Sequence, residues 1–348
     1  MNTNDKRSSS ADEDNIGVVF RKSLGHYTVH TQGREIDCVL SSLLHKQLIY
    51  STADPTSMRK RVQEVREIDH VDPIAIGDRV RYVDASNGGT IPLTSTDSKE
   101  ASGMIVEILP RSSKLSRPAP VPGQRVFEQV IASNMDLVMP VFSVADPTPK
   151  WSLLDRYLVA AEAAGLPSLI VINKLDLAWK NPSFDKDIKM YRRIGYSVLL
   201  VSAVTGEGIE ELKQALQGKL SVMVGKSGVG KTSLLNAIQP GLGLRVKAVS
   251  DGKLGKGRHT TTYLEMFELD FGGTLVDTPG AREFGLWDVA GEELASLFPE
   301  MADYLGQCKF GLSCRHDREP GCAIRKAVMA GDISPYRYQS YMRLREEL

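Results

Sequence analysis

What the chain lacks narrows what it can be. No apolar run approaches the ~20 residues of a membrane-spanning helix, so no membrane partner is expected. Residues Met1 to Asn15 are polar and mixed in charge, without the apolar segment of a secretory signal, and read as a disordered tail. Net charge is absent too: 43 Lys and Arg balance 43 Asp and Glu, so nothing overall points to a protein that grips RNA by charge alone. The basic clusters Arg59-Lys60-Arg61, Arg111 to Arg117 and Lys253 to Arg258 are local, and each reads equally well as solvated surface. Cysteine is scarce, with 4 in the chain, and all but Cys38 fall between residues 308 and 322. A disulfide framework would spread them out; this crowding points to a reducing, cytoplasmic setting and a metal site, with Cys38 a core residue.

What is present is ordinary in bulk. A length of 348 residues allows two or three domains, and 42% apolar and 25% charged residues are usual for a globular protein. Residues 16–110 carry short alternating segments: Gly17 to Phe20, Tyr27 to Val29, Asp37 to Leu40, Arg79 to Val83 and Gly103 to Ile108, with turn residues at Gly77-Asp78 and Asn87-Gly88-Gly89. That texture fits a small β-barrel or sandwich, an oligonucleotide-binding five-stranded barrel among them. Residues 111–125, rich in Ser, Pro and Arg, read as a linker. From 126 to 293 strands alternate with helices, the pattern of an α/β domain on a mostly parallel sheet. Leu137 to Val144 reads as a buried strand in which Pro140 argues for an edge or a bulge. Residues 294–348 look helical around a Cys/His knot. A monomer is expected.

The chemistry is concentrated in a few motifs, and their order is unusual. Gly225-Lys226-Ser227-Gly228-Val229-Gly230-Lys231-Thr232 follows the apolar strand Leu220 to Val224 and precedes a helical run beginning at Ser233. Its glycines let backbone amides wrap a phosphate at a helix N-terminus, Lys231 reaches the β- and γ-phosphates, and Thr232 ligates Mg²⁺. Ser233 belongs to the same contacting turn. Asn173-Lys174-Leu175-Asp176, after another apolar strand, is a base-reading loop. The Asp176 carboxylate can accept from both N1–H and N2–H of guanine, a pair adenine lacks, and losing that match is costly in a buried site. Ser202 and Ala203 fit the loop whose backbone N–H meets guanine O6. Asp277-Thr278-Pro279-Gly280 closes the set: Asp277 holds Mg²⁺ through water, and the Gly280 amide faces the γ-phosphate. In an ordinary GTPase the phosphate loop comes first and the base reader last. Here the base reader precedes the phosphate cradle, the order of a circularly permuted GTPase.

Between these motifs Gly255 to Thr262 is a basic, Gly-rich stretch ending in hydroxyls, the place for a switch whose Thr closes over Mg²⁺ and the γ-phosphate. Thr261 is favoured, with Thr260 and Thr262 as neighbours. Many GTPases carry a water-orienting Gln after Asp-x-x-Gly; Ala281 stands there, so intrinsic hydrolysis is expected to be slow. His259 is the candidate to orient the water or act as base, against the plain reading of a solvent-exposed loop histidine. The segment from Ala281 to Leu286 would be a second switch feeding directly into the C-terminal region. There Cys308-x5-Cys314-x-His316-x5-Cys322 supplies three thiolates and an imidazole, a set suited to one closed, structural Zn²⁺ site; buried reduced cysteines beside a surface histidine are the alternative.

Taken together, Asn173 to Asp176, Gly225 to Thr232, Gly257 to Thr262, Asp277 to Phe284, the segment Asp155 to Glu162 and the Cys/Cys/His/Cys knot closely resemble the RsgA (YjeQ/YloQ) family of bacterial and organellar GTPases. The resemblance implies an oligonucleotide-binding barrel, a permuted GTPase domain and a zinc module. It also implies GTP hydrolysis stimulated by the small ribosomal subunit, late maturation of that subunit, and contact with its rRNA. The family lacks the switch Gln as well and assigns its switch histidine to hydrolysis, which favours His259. Two departures stand out: Cys308 and Cys314 are one residue further apart than the family pattern, and Ala281 replaces a larger apolar residue. The competing readings are a nucleotide-regulated RNA-binding scaffold with negligible turnover, and a small-molecule kinase, which the guanine-type loop disfavours.

Overall fold

The structure, a computed structural model, describes residues 15–23, 25–44, 46–50, 62–67, 72–84, 102–119, 127–242, 264–277, 286–287 and 289–348, with backbone alone at 46–50, 62–67 and 264–265. The basic clusters at 59–61 and 253–258, the switch at 255–262 and the segment 278–285 lie outside the described residues. So do the N-terminal tail apart from Asn15 and the polar stretch from Ser86 apart from Ser102. Two compact units make up the chain.

The first unit is a closed barrel. Its strands β1 (Ile16–Ser23), β2 (His26–Thr31) and β3 (Arg34–Leu40) are antiparallel neighbours. After the hairpin of β4 (Lys46–Tyr50) and β5 (Val62–Glu67), β6 (Arg79–Asp84) and β7 (Gly103–Ile108) complete it. The order is β1-β2-β3-β7-β6, with β3 and β7 parallel and β6 returning to β1, the five-stranded closure of an oligonucleotide-binding fold. Period-two alternation builds it: Val19, Tyr27, Val29, Ile36, Cys38, Val80, Tyr82 and Ile105 are buried, while charged neighbours such as Glu35, Asp37 and Arg79 are exposed. Asp78, fully buried before β6, is a hydrogen-bonding hub. It accepts from the Ala75 amide at 2.8 Å, from Arg111 at 2.7 Å through each carboxylate oxygen, and from Ser133 Oγ at 2.6 Å. Arg111 thus lies bonded at the start of the stretch read as a linker, and that stretch also contains β8 (Lys114–Ala119). β9 (Phe127–Ser133) follows.

The second unit contains a parallel sheet. β10 (Leu137–Ser143), α1 (Trp151–Ala163), β11 (Leu169–Asn173), α2 (Phe184–Ile194), β12 (Ser197–Leu200), α3 (Ile209–Leu216), β13 (Leu220–Val224), α4 (Lys231–Ile238), β14 (Leu264–Glu268) and β15 (Thr274–Asp277) alternate along the chain. In space the order is β12-β11-β10-β13-β15-β14, and the first five run parallel. The chain winds outward from β10 in one direction and then resumes at β13 on its other side. Such a reversal opens a crevice at the carboxyl ends of the two strands, where ligands of open α/β sheets bind.

Pro140 corrects an expectation. β10 is neither an edge nor bulged; all its residues are buried between β11 and β13. The proline falls in a gap of the ladder on the β11 side, between the Val138↔Ser168 bridge and the pairing that resumes at Val141↔Val171, while residues 137–140 register with β13. A missing N–H in that gap removes little.

The C-terminal part of this unit comprises α5 (Pro299–Ala302), α6 (Ala323–Ala330) and α7 (Pro335–Glu347). Ser334 caps α7 by accepting from the Tyr336 amide, and Pro335 occupies the first turn, where no N–H is needed. Arg337, Ser340, Tyr341 and Leu344 form the buried stripe of α7. Arg337 is fully buried between two acids: Nη1 donates to Asp155 Oδ1 of α1 at 2.7 Å, and Nε and Nη2 donate to Glu300 at 2.6 and 3.1 Å. Tyr191 of α2 donates to the same Asp155 oxygen at 2.7 Å, and the guanidinium stands 4.5 Å from the Phe298 ring centroid. Burial works against the charge, but Asp155 and Glu300 more than offset it and hold the Arg337 pKa well above the usual range.

Candidate nucleotide site and metal centre

The crevice at the ends of β10, β11 and β13 gathers the motifs. The phosphate loop leaves β13 at Gly225 and enters α4 at Lys231. Gly230 takes φ 94°, and a Cβ there would lie 2.4 Å from Asn173 Nδ2, so both the conformation and the close approach demand glycine. At Gly225 a Cβ would meet the Val141 carbonyl oxygen at 2.4 Å. No side chain caps α4, which leaves its first amides free to bind an anion. Val229 is buried, while Lys231, Thr232 and Ser233 are half-buried in the first turn. Lys231 Nζ donates to the Gly225 carbonyl at 2.9 Å and to that of Lys226 at 3.4 Å, folded back over its own loop.

Asn173 joins the loops. It is buried; Nδ2 donates to the Val229 carbonyl at 3.0 Å and to that of Gly230 at 3.5 Å, and Oδ1 accepts from the Ala203 amide at 3.2 Å. The Ala203 amide, in the loop expected to meet guanine O6, is therefore committed to Asn173 in this arrangement. Lys174 adopts φ 63° and lies across the phosphate loop, donating to the Gly228 carbonyl at 2.8 Å and to the Asp146 carbonyl. Burial lowers its pKa, partly offset by Asp146 and Asp176. Asp176 is exposed, with one carboxylate oxygen accepting from buried Ser202 Oγ at 2.6 Å. Its position leaves the rest of the carboxylate open to a base edge.

Asp277, at the end of β15, has Oδ1 buried without a hydrogen-bond partner. Burial raises its pKa, and Lys231 opposes the rise; burial likewise lowers that of Lys231, opposed by Asp277. An orphaned buried carboxylate oxygen beside a phosphate loop suits a hydrated Mg²⁺, and Asp277 and Thr232 would hold it. Thr261, His259 and Gly280 lie outside the described residues.

Cys308, Cys314, His316 and Cys322 come together, all buried, with ligand atoms within 4.8 Å of one another. A tetrahedral zinc with bonds of about 2.3 Å to sulfur and about 2.05 Å to nitrogen separates its ligands by about 3.8 Å (S–S) and about 3.6 Å (S–N). Cys308 Sγ and Cys322 Sγ lie 3.9 Å apart, and each is 3.5 Å from His316 Nδ1. Cys308, the departure from the family spacing, is thus a full member of the cluster. Cys322 caps α6. The Ala323 amide donates to Cys308 Sγ at 3.2 Å and the Arg325 amide to Cys322 Sγ at 3.4 Å, donors that stabilise thiolates. Burial pushes the Cys314 and Cys322 thiols up, an opposition that a divalent cation removes. Tyr338 OH donates to the His316 carbonyl at 2.5 Å, and Glu319 accepts from the Arg315 and Asp317 amides, fixing the loop.

Sequence reasoning missed Asp146, Lys180 and the Arg337 hub. The Asp146-Pro147 pair was a turn signal; nothing local marks Lys180 Nζ, which donates to Asp146 Oδ2 at 2.6 Å.

A phosphate loop and a guanine-type base loop at the reversal of a parallel sheet, in permuted chain order, define the class as a circularly permuted P-loop GTPase. The RsgA GTPase family model matches residues 108–287. Two proteins named small ribosomal subunit biogenesis GTPase RsgA are similar: that of Gemmatimonas aurantiaca is 44% identical over 84% of this chain and 89% of its own, and that of Ectopseudomonas mendocina is 46% identical over 70% and 69%. Among solved structures, YjeQ from Thermotoga maritima superposes with TM-score 0.66 at 32% identity, covering 96% of this chain and 98% of its own. YloQ, described as a circularly permuted GTPase, superposes with TM-score 0.63 at 26% identity over 98% and 97%. The chain belongs to the RsgA GTPase family.

Proposed function

We propose that this protein hydrolyses GTP as a switch in late maturation of the small ribosomal subunit, binding the subunit and its rRNA and being activated by it. The observation that carries the reading is the joint made by Asn173: it fixes the base-reading loop at Asp176 to the phosphate loop at Val229, so guanine and phosphates are read by one rigid frame. In this reading Asp176 accepts from guanine N1–H and N2–H, with Ser202 holding the carboxylate and Ala203 lining the base edge. The amides of Gly225 to Gly230 and the turn of Lys231 to Ser233 cradle the phosphates, and Lys231 unfolds from the Gly225 carbonyl to reach the β- and γ-oxygens. Bound Mg²⁺ neutralises developing charge on the transferred phosphoryl group. Thr232, Thr261 and Asp277 hold that ion, the Gly280 amide meets the γ-phosphate, and His259 positions the attacking water where Ala281 stands in place of a Gln.

The barrel supplies the rRNA contact, and the Cys308/Cys314/His316/Cys322 cluster holds one structural Zn²⁺. The protein acts as a monomer in the cytoplasm. Co-sedimentation with isolated small subunits tests the switch: binding is expected with a non-hydrolysable GTP analogue and release with GDP. Binding indifferent to the nucleotide would replace the switch with a scaffold.

A further inference from the structure

The large apolar side chains left exposed in the described residues are unevenly placed. Within 135–277, the part that carries the nucleotide motifs, only Trp179 (73% exposed) and Val204 (82%) belong to this group. Both stand close in the chain to groups at the same carboxylate. Val204 follows Ser202 and Ala203, and Ser202 Oγ is bonded to Asp176. Trp179 is three residues beyond Asp176 in the 3-10 turn Leu175–Lys180. Residues three apart in a 3-10 helix eclipse one another, so Asp176 and Trp179 share a face about 6 Å apart along the axis.

The indole is also held. Lys180 Nζ lies 5.4 Å from the Trp179 ring centroid and donates to Asp146 Oδ2 at 2.6 Å. The Asp146 carbonyl accepts from Lys174, which in turn bonds to the phosphate loop at Gly228. A flat apolar surface is thereby tethered, through two lysines and one aspartate, to the frame that positions the nucleotide. An exposed carboxylate gains little from hydrogen bonds that water can replace, and covering them strengthens them.

We propose that Trp179 and Val204 form the apolar rim of the guanine slot, closing over the bound base so that water is excluded from the Asp176 hydrogen bonds, with the Lys180–Asp146 pair holding the indole in place. Trp179 then contributes to the affinity of the nucleotide site. This rests on the reading of Asp176 as the guanine acceptor.

The test is calorimetric titration of the full-length protein with GDP and with xanthosine diphosphate, together with tryptophan emission. Asp176→Asn examines the underlying reading and is expected to exchange preference for GDP for preference for the xanthine nucleotide. Trp179→Ala is expected to weaken GDP binding roughly two- to tenfold, and Trp179→Phe, which keeps a flat ring, to restore most of it. GDP should shift the emission of the wild type to the blue; the Phe variant, left with buried Trp151 and half-buried Trp287, should lose that shift. If Asp176→Asn leaves GDP affinity untouched, the base reading itself fails. If it changes preference as expected while Trp179→Ala leaves affinity and wild-type emission ignores GDP, the rim is wrong and the base reading stands.

Discussion

The side chain of Asn173 donates to the main-chain carbonyl of Val229 at 3.0 Å, across 56 positions of sequence, and so locks a loop that reads bases onto a loop that holds phosphates. Replacing Asn173 by Ala leaves the Val229 carbonyl and the Ala203 amide without their partner. A cost of about 1–3 kcal/mol in stability is expected, with weaker GDP binding. Chemical denaturation and GDP titration of one preparation check both, and unchanged GDP affinity would mean the joint does not organise the site.

Arg337 carries a second expectation. Removing it strands the Asp155 and Glu300 carboxylates in the interior, and Arg337→Met should cost about 3–5 kcal/mol. Parallel denaturation curves of variant and wild type are the check; unchanged stability contradicts the account of the hub.

Asp277 gives a pH effect in the nucleotide-free protein. Its folded pKa is raised above the ordinary 3.8, chiefly by burial. The folded state therefore holds the proton more tightly, and the group's contribution falls as pH rises from near 3.8 through the raised folded value. Asp277→Asn removes this slope, so its stability relative to the wild type should climb across that window. Mg²⁺ with GDP should abolish the difference in slope by satisfying the wild-type carboxylate. Melting temperatures across the window, with and without Mg²⁺ and GDP, decide the point.

Metal removal tests the cysteine cluster. A structural zinc in a small module contributes on the order of 10 kcal/mol, so chelation, or Cys308→Ser, should cost helical signal from α6 and α7 and lower the melting temperature. Elemental analysis should return one zinc per chain. Full helicity in a metal-free preparation would leave the cluster as buried thiols.

Much of this was legible along the chain because it is local. The five segments read from period-two alternation, from Gly17–Phe20 to Gly103–Ile108, all fall within the five strands that close the barrel. The phosphate loop, the base loop and the metal cluster are short patterns whose geometry follows from spacing. What was hidden depends on pairing at a distance. Pro140 argued for an edge or a bulge because its own strand could not show that the β11-side ladder has a gap at that residue. Arg337 and Asp155 meet from 182 positions apart, and neither carries a local mark of burial. The commitment of the Ala203 amide to Asn173 depends on how two loops pack, which no tetrapeptide records.

A slow GTPase awakened by the small ribosomal subunit is tested most directly by GTP turnover of the purified protein with and without isolated small subunits, using ATP as control. Slow turnover that rises by orders of magnitude with the subunit, confined to GTP and lost in His259→Ala, is the predicted result. Turnover that ignores the subunit, or that prefers ATP, contradicts it.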